Sequence, residues 1–356
     1  MESGTGAGKP FSASLSSAEF DVWLDKLSAS HELLGPVRRP GRGRFSGTDI
    51  VRYGTIRKAD DIVWNRKSDA SPKEAVFPPS ETMLEFSGDE MRLPSPPFDR
   101  PALVFLRACD IHGIDRLDAI FLVNGPHADP YYLRRRERVR FVLLECLKPF
   151  ENCFCKAMGT NRTDAWHAAA RLEADGSFTL AVRPDDLRTA IPGSARPMEY
   201  EPRGVENDAV AVRLPDPERL EKAVRERDFF HHELWNQYHT RCIACGRCNT
   251  NCVTCSCFAV QDVAFSEDER LGERRRVWTG CHLDRFADMA GGHRLREKYG
   301  DRMRFRVMHK IHDFKRRLGR PMCVGCGRCD DQCPQYISFS TCINRVTDAV
   351  SQEPQS

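Results

Sequence analysis

Cys323-Val324-Gly325-Cys326-Gly327-Arg328-Cys329-Asp330-Asp331-Gln332-Cys333-Pro334 is the run whose reading decides the fold. It has an upstream counterpart, Cys242-Ile243-Ala244-Cys245-Gly246-Arg247-Cys248-Asn249-Thr250-Asn251-Cys252. In each run three cysteines recur at every third position and a fourth follows one residue later than that interval. Three thiolates so spaced on a tight turn can hold three corners of one iron–sulfur cubane, and in two-cluster ferredoxins the outlying fourth ligates the other cluster. The spacing therefore predicts two 4Fe-4S clusters: cluster I on Cys242, Cys245, Cys248 and Cys333, and cluster II on Cys323, Cys326, Cys329 and Cys252. Gly246 and Gly327 follow the second cysteine of each run, where a residue without Cβ tolerates a left-handed backbone.

A four-cysteine zinc site needs only paired C-x2-C elements across a longer loop, so the third cysteine of each run exceeds what zinc requires. The first run departs from the usual pattern at Val253, where a proline is expected. Cys255 and Cys257 follow closely and Cys281 is a further thiol, so replacement of Cys252 by one of these stays open.

Composition narrows the class. A chain of 356 residues has room for two domains and a sizeable core. Its formal net charge of +3 says nothing about partners, but Asp268–Arg320, between the cysteine runs, carries 16 Lys and Arg against 8 Asp and Glu. Cations beside anionic clusters favour the reduced state, and such a stretch can also dock an acidic surface or form a solvated helical face. Met1–Pro10 lacks the apolar segment of a secretory signal, and no run approaches the roughly 18 apolar residues of a membrane span. Of the sixteen cysteines, the clustered ones are thus expected to be metal ligands in a cytoplasmic protein, not disulfides. No motif supports nucleic-acid binding. A zinc-stabilised module using the basic stretch on nucleic acid would be colourless and bind with strong salt dependence.

Along the chain, residues 1–15 are rich in Gly, Ser and Ala and are expected to be flexible. Gly4–Pro10 resembles a phosphate loop only superficially, with Ser3 and Pro10 at the wrong places and no preceding strand. Ser16 and Glu19 form a capping box for a helix that buries Phe20, Trp23, Leu24 and Leu27 and stops at Gly35-Pro36. Residues 36–60 read as short strands and turns, and Pro72–Glu81 as an irregular loop. Ala102–Leu106 is an unbroken apolar run, as in a strand buried on both faces. Helices near His112–Leu122 and Tyr131–Arg138 lead to a second strand, Arg140–Glu145, which makes a right-handed βαβ unit. Cys109 and Cys146 then fall past the carboxyl ends of two parallel strands, the edge where open α/β sheets bind ligands. With Cys153 and Cys155 they suggest a third cluster, although buried free thiols would have the same composition.

Gly176–Val182 reads as a strand or hairpin, and Ala195–Asp216 as a linker. Asp216-Pro217 caps a helix running to Tyr238 and delivering the chain to Cys242. The long connection between the cysteine runs is mostly helical in pattern. His309 and His312 read as surface or supporting residues, and Cys342 as structural. The predicted architecture is α+β: an N-terminal α/β domain with a partly parallel sheet over 16–215, then an α-helical two-cluster ferredoxin-like domain over 216–350, with a flexible tail at 351–356.

Taken together, these motifs resemble the A subunits of anaerobic sulfite reductases, relatives of the sulfhydrogenase β subunits. The resemblance spans roughly residues 45–350. It rests on Lys73-Glu74-Ala75-Val76-Phe77-Pro78-Pro79-Ser80-Glu81, Arg107-Ala108-Cys109-Asp110-Ile111-His112, Tyr131-Tyr132-x-Arg134-Arg135-Arg136, Glu145-Cys146, Cys153-Phe154-Cys155-x-x-Met158-Gly159-Thr160-Asn161 and both cysteine runs. Ser256 after Cys255, where relatives usually carry an aromatic, is a departure like Val253. The resemblance implies a cytoplasmic three-subunit enzyme. A flavin subunit oxidises NADH, the iron–sulfur subunit relays single electrons, and a siroheme subunit reduces sulfite to hydrogen sulfide. The alternative is the β subunit of a sulfhydrogenase or another sulfur-compound reductase. The chain has no G-x-G-x-x-G after a strand, nor a further pair of cysteine motifs suited to siroheme, so it should hold no nicotinamide, have no catalytic residues and turn over nothing alone. Iron analysis of the anaerobically purified chain tests the cluster count: about eight irons means two clusters, and about twelve requires the third.

Overall fold

The computed structural model describes residues 9–94, 98–226, 228–268 and 270–351. Its strands are β1 Phe11–Leu15, β2 Glu32–Arg39, β3 Ile50–Thr55, β4 Ser80–Ser87, β5 Glu90–Arg92, β6 Ala102–Leu106, β7 Val139–Leu144, β8 Ala168–Leu172, β9 Phe178–Val182, β10 Arg196–Pro197, β11 Phe258–Ala264 and β12 Leu271–Trp278. The described residues divide into two compact units whose segments alternate along the chain: 9–77, 98–150 and 159–207 in the first, and 78–94, 151–158 and 208–351 in the second. The units are therefore not the contiguous blocks 16–215 and 216–350 that composition suggests.

The first unit is built on one sheet with strand order β10-β1-β9-β8-β7-β6-β2-β3. Its centre is parallel, β2 with β6, β6 with β7 and β7 with β8, while the outer pairings are antiparallel. All five residues of β6 are buried, so the strand reads as a continuous apolar run and not as an alternation. Between β6 and β7 the chain forms a helix at Ala108–Asp118, a π turn at Ala119–Val123 and a helix at Pro130–Arg136. The helix Ser17–Ser28 opens with the reciprocal bonds of Ser16 and Glu19 and stacks Phe20 on Phe178 at 4.4 Å.

Two local expectations differ. Phe11–Leu15 is ordered as a strand because Ala13 and Leu15 are buried and the segment pairs with both β9 and β10. The remaining flexibility expected at 1–8 and 352–356 lies outside the described residues. The first helix ends at Ser28, not at Gly35-Pro36, which lie inside β2. The parallel pairing of β2 with β6 runs only from Glu32 to Leu34, so Pro36 removes no donor from that ladder.

In the second unit an antiparallel sheet, order β11-β12-β4-β5, accompanies the helices. The connection between the cysteine runs thus begins with a hairpin, β11 and β12, and is not mostly helical as its pattern suggested. Charges, not apolar residues, carry the strand alternation here. Arg274 pairs with Asp262 at 2.7 Å and buried Arg276 with Glu81 at 2.6 Å, across neighbouring strands. After an irregular stretch over 279–298 the connection ends in a helix at Tyr299–Met308 that continues through a π turn, His309–Asp313, to Phe314–Leu318. Asp216 caps Pro217–Arg225 by accepting from the backbone of Glu218 and Arg219, but two 3-10 turns separate this helix from Asn236–Arg241. Leu220, Trp235, Tyr238, Val307, Ile311 and Ile343 form the core of this unit, and Cys342 is buried within it. No helix among the described residues is long and apolar enough to cross a membrane.

His167 of the first unit reports on acid stability. Its Nδ1 accepts a hydrogen bond from the backbone N–H of Phe141 at 3.1 Å, a role that requires a bare ring nitrogen. Burial, followed by the charges of Arg140, Arg136 and Arg183, lowers its pKa to about 4. Between that value and the ordinary 6.5 the unfolded chain binds the extra proton, so stability is present above about 6.5 and falls as pH drops toward 4. The urea midpoint, followed by tryptophan fluorescence, should decline over this window, and His167→Asn, which keeps an acceptor but does not titrate, should flatten the decline.

Candidate metal centre

The two cysteine runs adopt the same local backbone. Ala244 and Gly325, each two residues after the first cysteine, have φ of 54° and 64°; Gly246 and Gly327 have 68° and 70°. Left-handed backbone at these positions folds each run into a tight turn, and a short helix starts from the second of them: Arg247–Thr250 in one run, Arg328–Asp331 in the other. The turn aims backbone donors at sulfur. Ala244 N–H donates to Cys242 Sγ at 3.5 Å, Gly325 N–H to Cys323 Sγ at 3.4 Å, and Ile337 N–H to Cys333 Sγ at 3.3 Å.

Each residue after the third cysteine ties down a downstream segment. The Asp330 carboxylate accepts from Phe339 N–H at 2.8 Å, from Ser338 Oγ at 3.0 Å and from Ser340 Oγ at 3.2 Å, which fixes the start of the C-terminal helix, Phe339–Ser351. Asn249 accepts from His282 N–H at 3.3 Å and donates to Cys281 Sγ at 3.3 Å.

Two hollows result. Cys242, Cys245, Cys248 and Cys333 line the first, with His282 and Arg306. Cys252, Cys323 and Cys326 line the second, with Phe154 and Lys310. Cys329, Arg306 and Phe339 border both. The outlying cysteine of each run thus lines the hollow of the other. Cys255, Cys257 and Cys281 are not among the described residues lining either one.

The donor set suits iron–sulfur clusters: thiols in fours, backbone N–H groups directed at sulfur, and buried cations alongside. Burial pushes the thiols of Cys248 and Cys323 up to about 12. Cys252 goes the other way, because Cys255 donates to it and Lys310 and Arg306 lie close by. Loading of either site must therefore displace protons from buried thiols. Among the described residues no group of three or more His, Cys, Asp or Glu is arranged as the ligand set of a single metal ion.

The four cysteines of the expected third set are divided between the units. Cys109 lies in the first turn of the helix after β6 and Cys146 just past β7, both in the first unit. At that edge the Arg107 guanidinium donates to the carbonyls of Val63, Trp64 and Glu145. The Glu145 carboxylate, fully buried, accepts from Arg171 at 2.7 Å, Tyr200 at 2.8 Å and the Arg203 N–H at 2.7 Å. Cys153 and Cys155 belong to the second unit. There Cys153 Sγ donates to the Cys326 carbonyl at 3.6 Å, and Phe154 N–H to the Gly325 carbonyl at 2.8 Å.

Sequence reasoning missed Arg306, Lys310 and His282. The first two lay inside a basic stretch that also fits a solvated face, although their i, i+4 spacing places them on one side of a helix. His282 follows Cys281 with no motif around it; it is 1 % exposed and its Nε2 has no hydrogen-bond partner among the described residues. His309 and His312 are not surface residues. His309 stacks on Phe305 at 6.0 Å, and buried His312 engages Glu221 at 2.7 Å and Asp313 at 2.8 Å through its two ring nitrogens.

Comparison with known proteins agrees with this chemistry. Residues 241–337 match the family model described as a 4Fe-4S dicluster domain. The chain is 29 % identical over 356 aligned residues to sulfhydrogenase 2 subunit beta of Pyrococcus furiosus, an alignment covering 94 % of this chain and 98 % of that protein. The similarity therefore extends to the first unit as well as the cysteine runs. No solved structure matches.

Gly325 tests the local geometry. A Cβ added there would run into the backbone carbonyl of Phe154, at a φ of +64° that L side chains rarely adopt. Gly325→Ala should lower the iron content of the purified chain by about four atoms, whereas Gly176→Ala, in an open turn, should not; equal iron in both variants would show that the turn tolerates the strain.

Proposed function

We propose that this chain is the iron–sulfur electron-transfer subunit of an oxidoreductase complex. In this reading Cys242, Cys245, Cys248 and Cys333 hold one 4Fe-4S cluster, and Cys252, Cys323, Cys326 and Cys329 the other. The observation that supports it is the pair of cysteine-lined hollows with Cys329, Arg306 and Phe339 as a common wall, the arrangement that two neighbouring one-electron centres require. Each cluster, when bound, accepts and releases a single electron. The chain's own part is to fix the sulfurs with backbone N–H groups, to exclude water from the second site and to supply positive charge. Partner subunits carry out the bond-making chemistry.

For the terminal enzyme, near full-length similarity to a sulfhydrogenase β subunit favours a hydrogenase or sulfur-compound reductase complex. A sulfite reductase, with flavin and siroheme subunits, is the second reading and rests on the sequence motifs at Lys73–Glu81, Arg107–His112, Tyr131–Arg136 and Cys153–Asn161. In the sulfite reductase reading, reducing equivalents from a nicotinamide enter through the flavin partner. Identifying the subunits that co-purify anaerobically, and assaying the complex with hydrogen and with sulfite, separates the two. In the intact complex, Cys326→Ser should abolish electron passage between donor and terminal subunits while artificial dyes still react at each of them; passage at the normal rate would overturn the ligand assignment.

A further inference from the structure

Two cations are sealed among the sulfur ligands. Arg306 is 3 % exposed and Lys310 is 2 % exposed. They stand four residues apart where the helix Tyr299–Met308 passes into its π turn, an irregularity frequent at functional sites. The turn frees the Lys310 carbonyl to accept from Met322 N–H at 2.9 Å and Cys323 N–H at 3.2 Å, which ties the cation to the start of the second cysteine run. Lys310 Nζ donates to Thr254 Oγ1 at 2.6 Å and faces Met322 Sδ at 3.5 Å. Arg306 Nη1 lies 4.0 Å from Cys255 Sγ, with its guanidinium over the Phe339 ring at 5.0 Å.

Neither cation forms an ion pair with a carboxylate among the described residues. Their neighbour Arg302, one turn earlier on the helix, does, with Asp284 at 2.8 Å. A buried charge without a counterion is costly, so the balancing anions must be those that the sulfur sites hold. The two cations are shared unequally: Arg306 borders both hollows, and Lys310 only the second.

We propose that Arg306 and Lys310 are the built-in countercharge of the two clusters, and that Lys310 holds the second cluster at the higher reduction potential, so that an electron delivered to the pair settles there. The inference rests on the electron-transfer reading above. The step moves one electron from the reduced first cluster to the oxidised second; no bond forms and no proton moves, since both cations are charged throughout. Other features do not set the order. The N–H donors to Cys242 and Cys323 are closely matched, and the Ile337 N–H on Cys333 has its counterpart in the Thr254 hydroxyl 3.3 Å from Cys252 Sγ. The deeper burial of Cys326 relative to exposed Cys245 and the carboxylate of Asp330 beside Cys329 both oppose added negative charge at the second site, and the second cation outweighs them.

The test is a redox titration of the full chain, purified anaerobically, with iron content measured alongside and the clusters followed by electron paramagnetic resonance. Lys310→Met should make one couple about tenfold harder to reduce, about 59 mV for a one-electron change, and leave the other within about twofold. Arg306→Met should lower both couples, and Arg306→Lys should restore them. If Arg306→Met does not fold, Lys310→Met and Arg306→Lys still decide. Full iron with neither couple moved by Lys310→Met, or with both moved alike, overturns this proposal and leaves the electron-transfer reading intact. A wild-type chain without iron overturns that reading itself.

Discussion

Each cysteine run completes its hollow only by receiving a side chain from the other, and the second unit is organised by this exchange. Cys333 lines the hollow of Cys242, Cys245 and Cys248, while Cys252 lines that of Cys323 and Cys326. The chain between the runs must therefore leave and return to the same place. It does so through the β11–β12 hairpin and the long helix ending at Leu318, whose π-turn carbonyl receives the first residues of the second run. Asn249 and Asp330, at equivalent positions, then anchor the segments that follow. The geometry is that of a duplicated element closed on itself, and a strained turn in one half bears directly on the other.

Electrostatics imposes a second constraint. A thiol drawn away from water resists ionisation, which is why burial raises Cys248 and Cys323. Two cations buried beside those thiols have the opposite problem. Bringing sulfur and cation together solves both, because each is the other's counterion once protons are displaced by metal. On the proposed reading, loading of the two sites and folding of this unit would be coupled for that reason; the basic character of the connecting stretch is in part an interior property, since Arg306 and Lys310 are buried.

The first unit contributes a different kind of order. Its parallel centre gathers Arg107, Glu145 and Arg171 at the carboxyl edge of β6 and β7, where a fully buried carboxylate is satisfied by two side chains and a backbone N–H. Such a network is costly to assemble and specifies its own geometry closely. The similarity to a sulfhydrogenase β subunit covers this unit as well as the cysteine runs.

The sequence by itself determined what local rules control. The cysteine spacing pointed to two four-sulfur sets, because the clusters of ferredoxins use that interval, and the same cysteines line the two hollows. The capping pair Ser16 and Glu19, the cap at Asp216 and the buried run Ala102–Leu106 were equally readable, since each depends on neighbours within a few residues. Tertiary structure alone decided what depends on distant partners. The β11–β12 hairpin escaped notice because its alternation is carried by Arg274 and Arg276, whose ion pairs lie on other strands. The strand Phe11–Leu15 was hidden in a composition typical of mobile chain, and only β9 and β10 order it. Arg306 and Lys310 could not be told from a solvated face, because a charge reads the same in sequence whether water or a thiol surrounds it; only the folded chain shows which of the two is there.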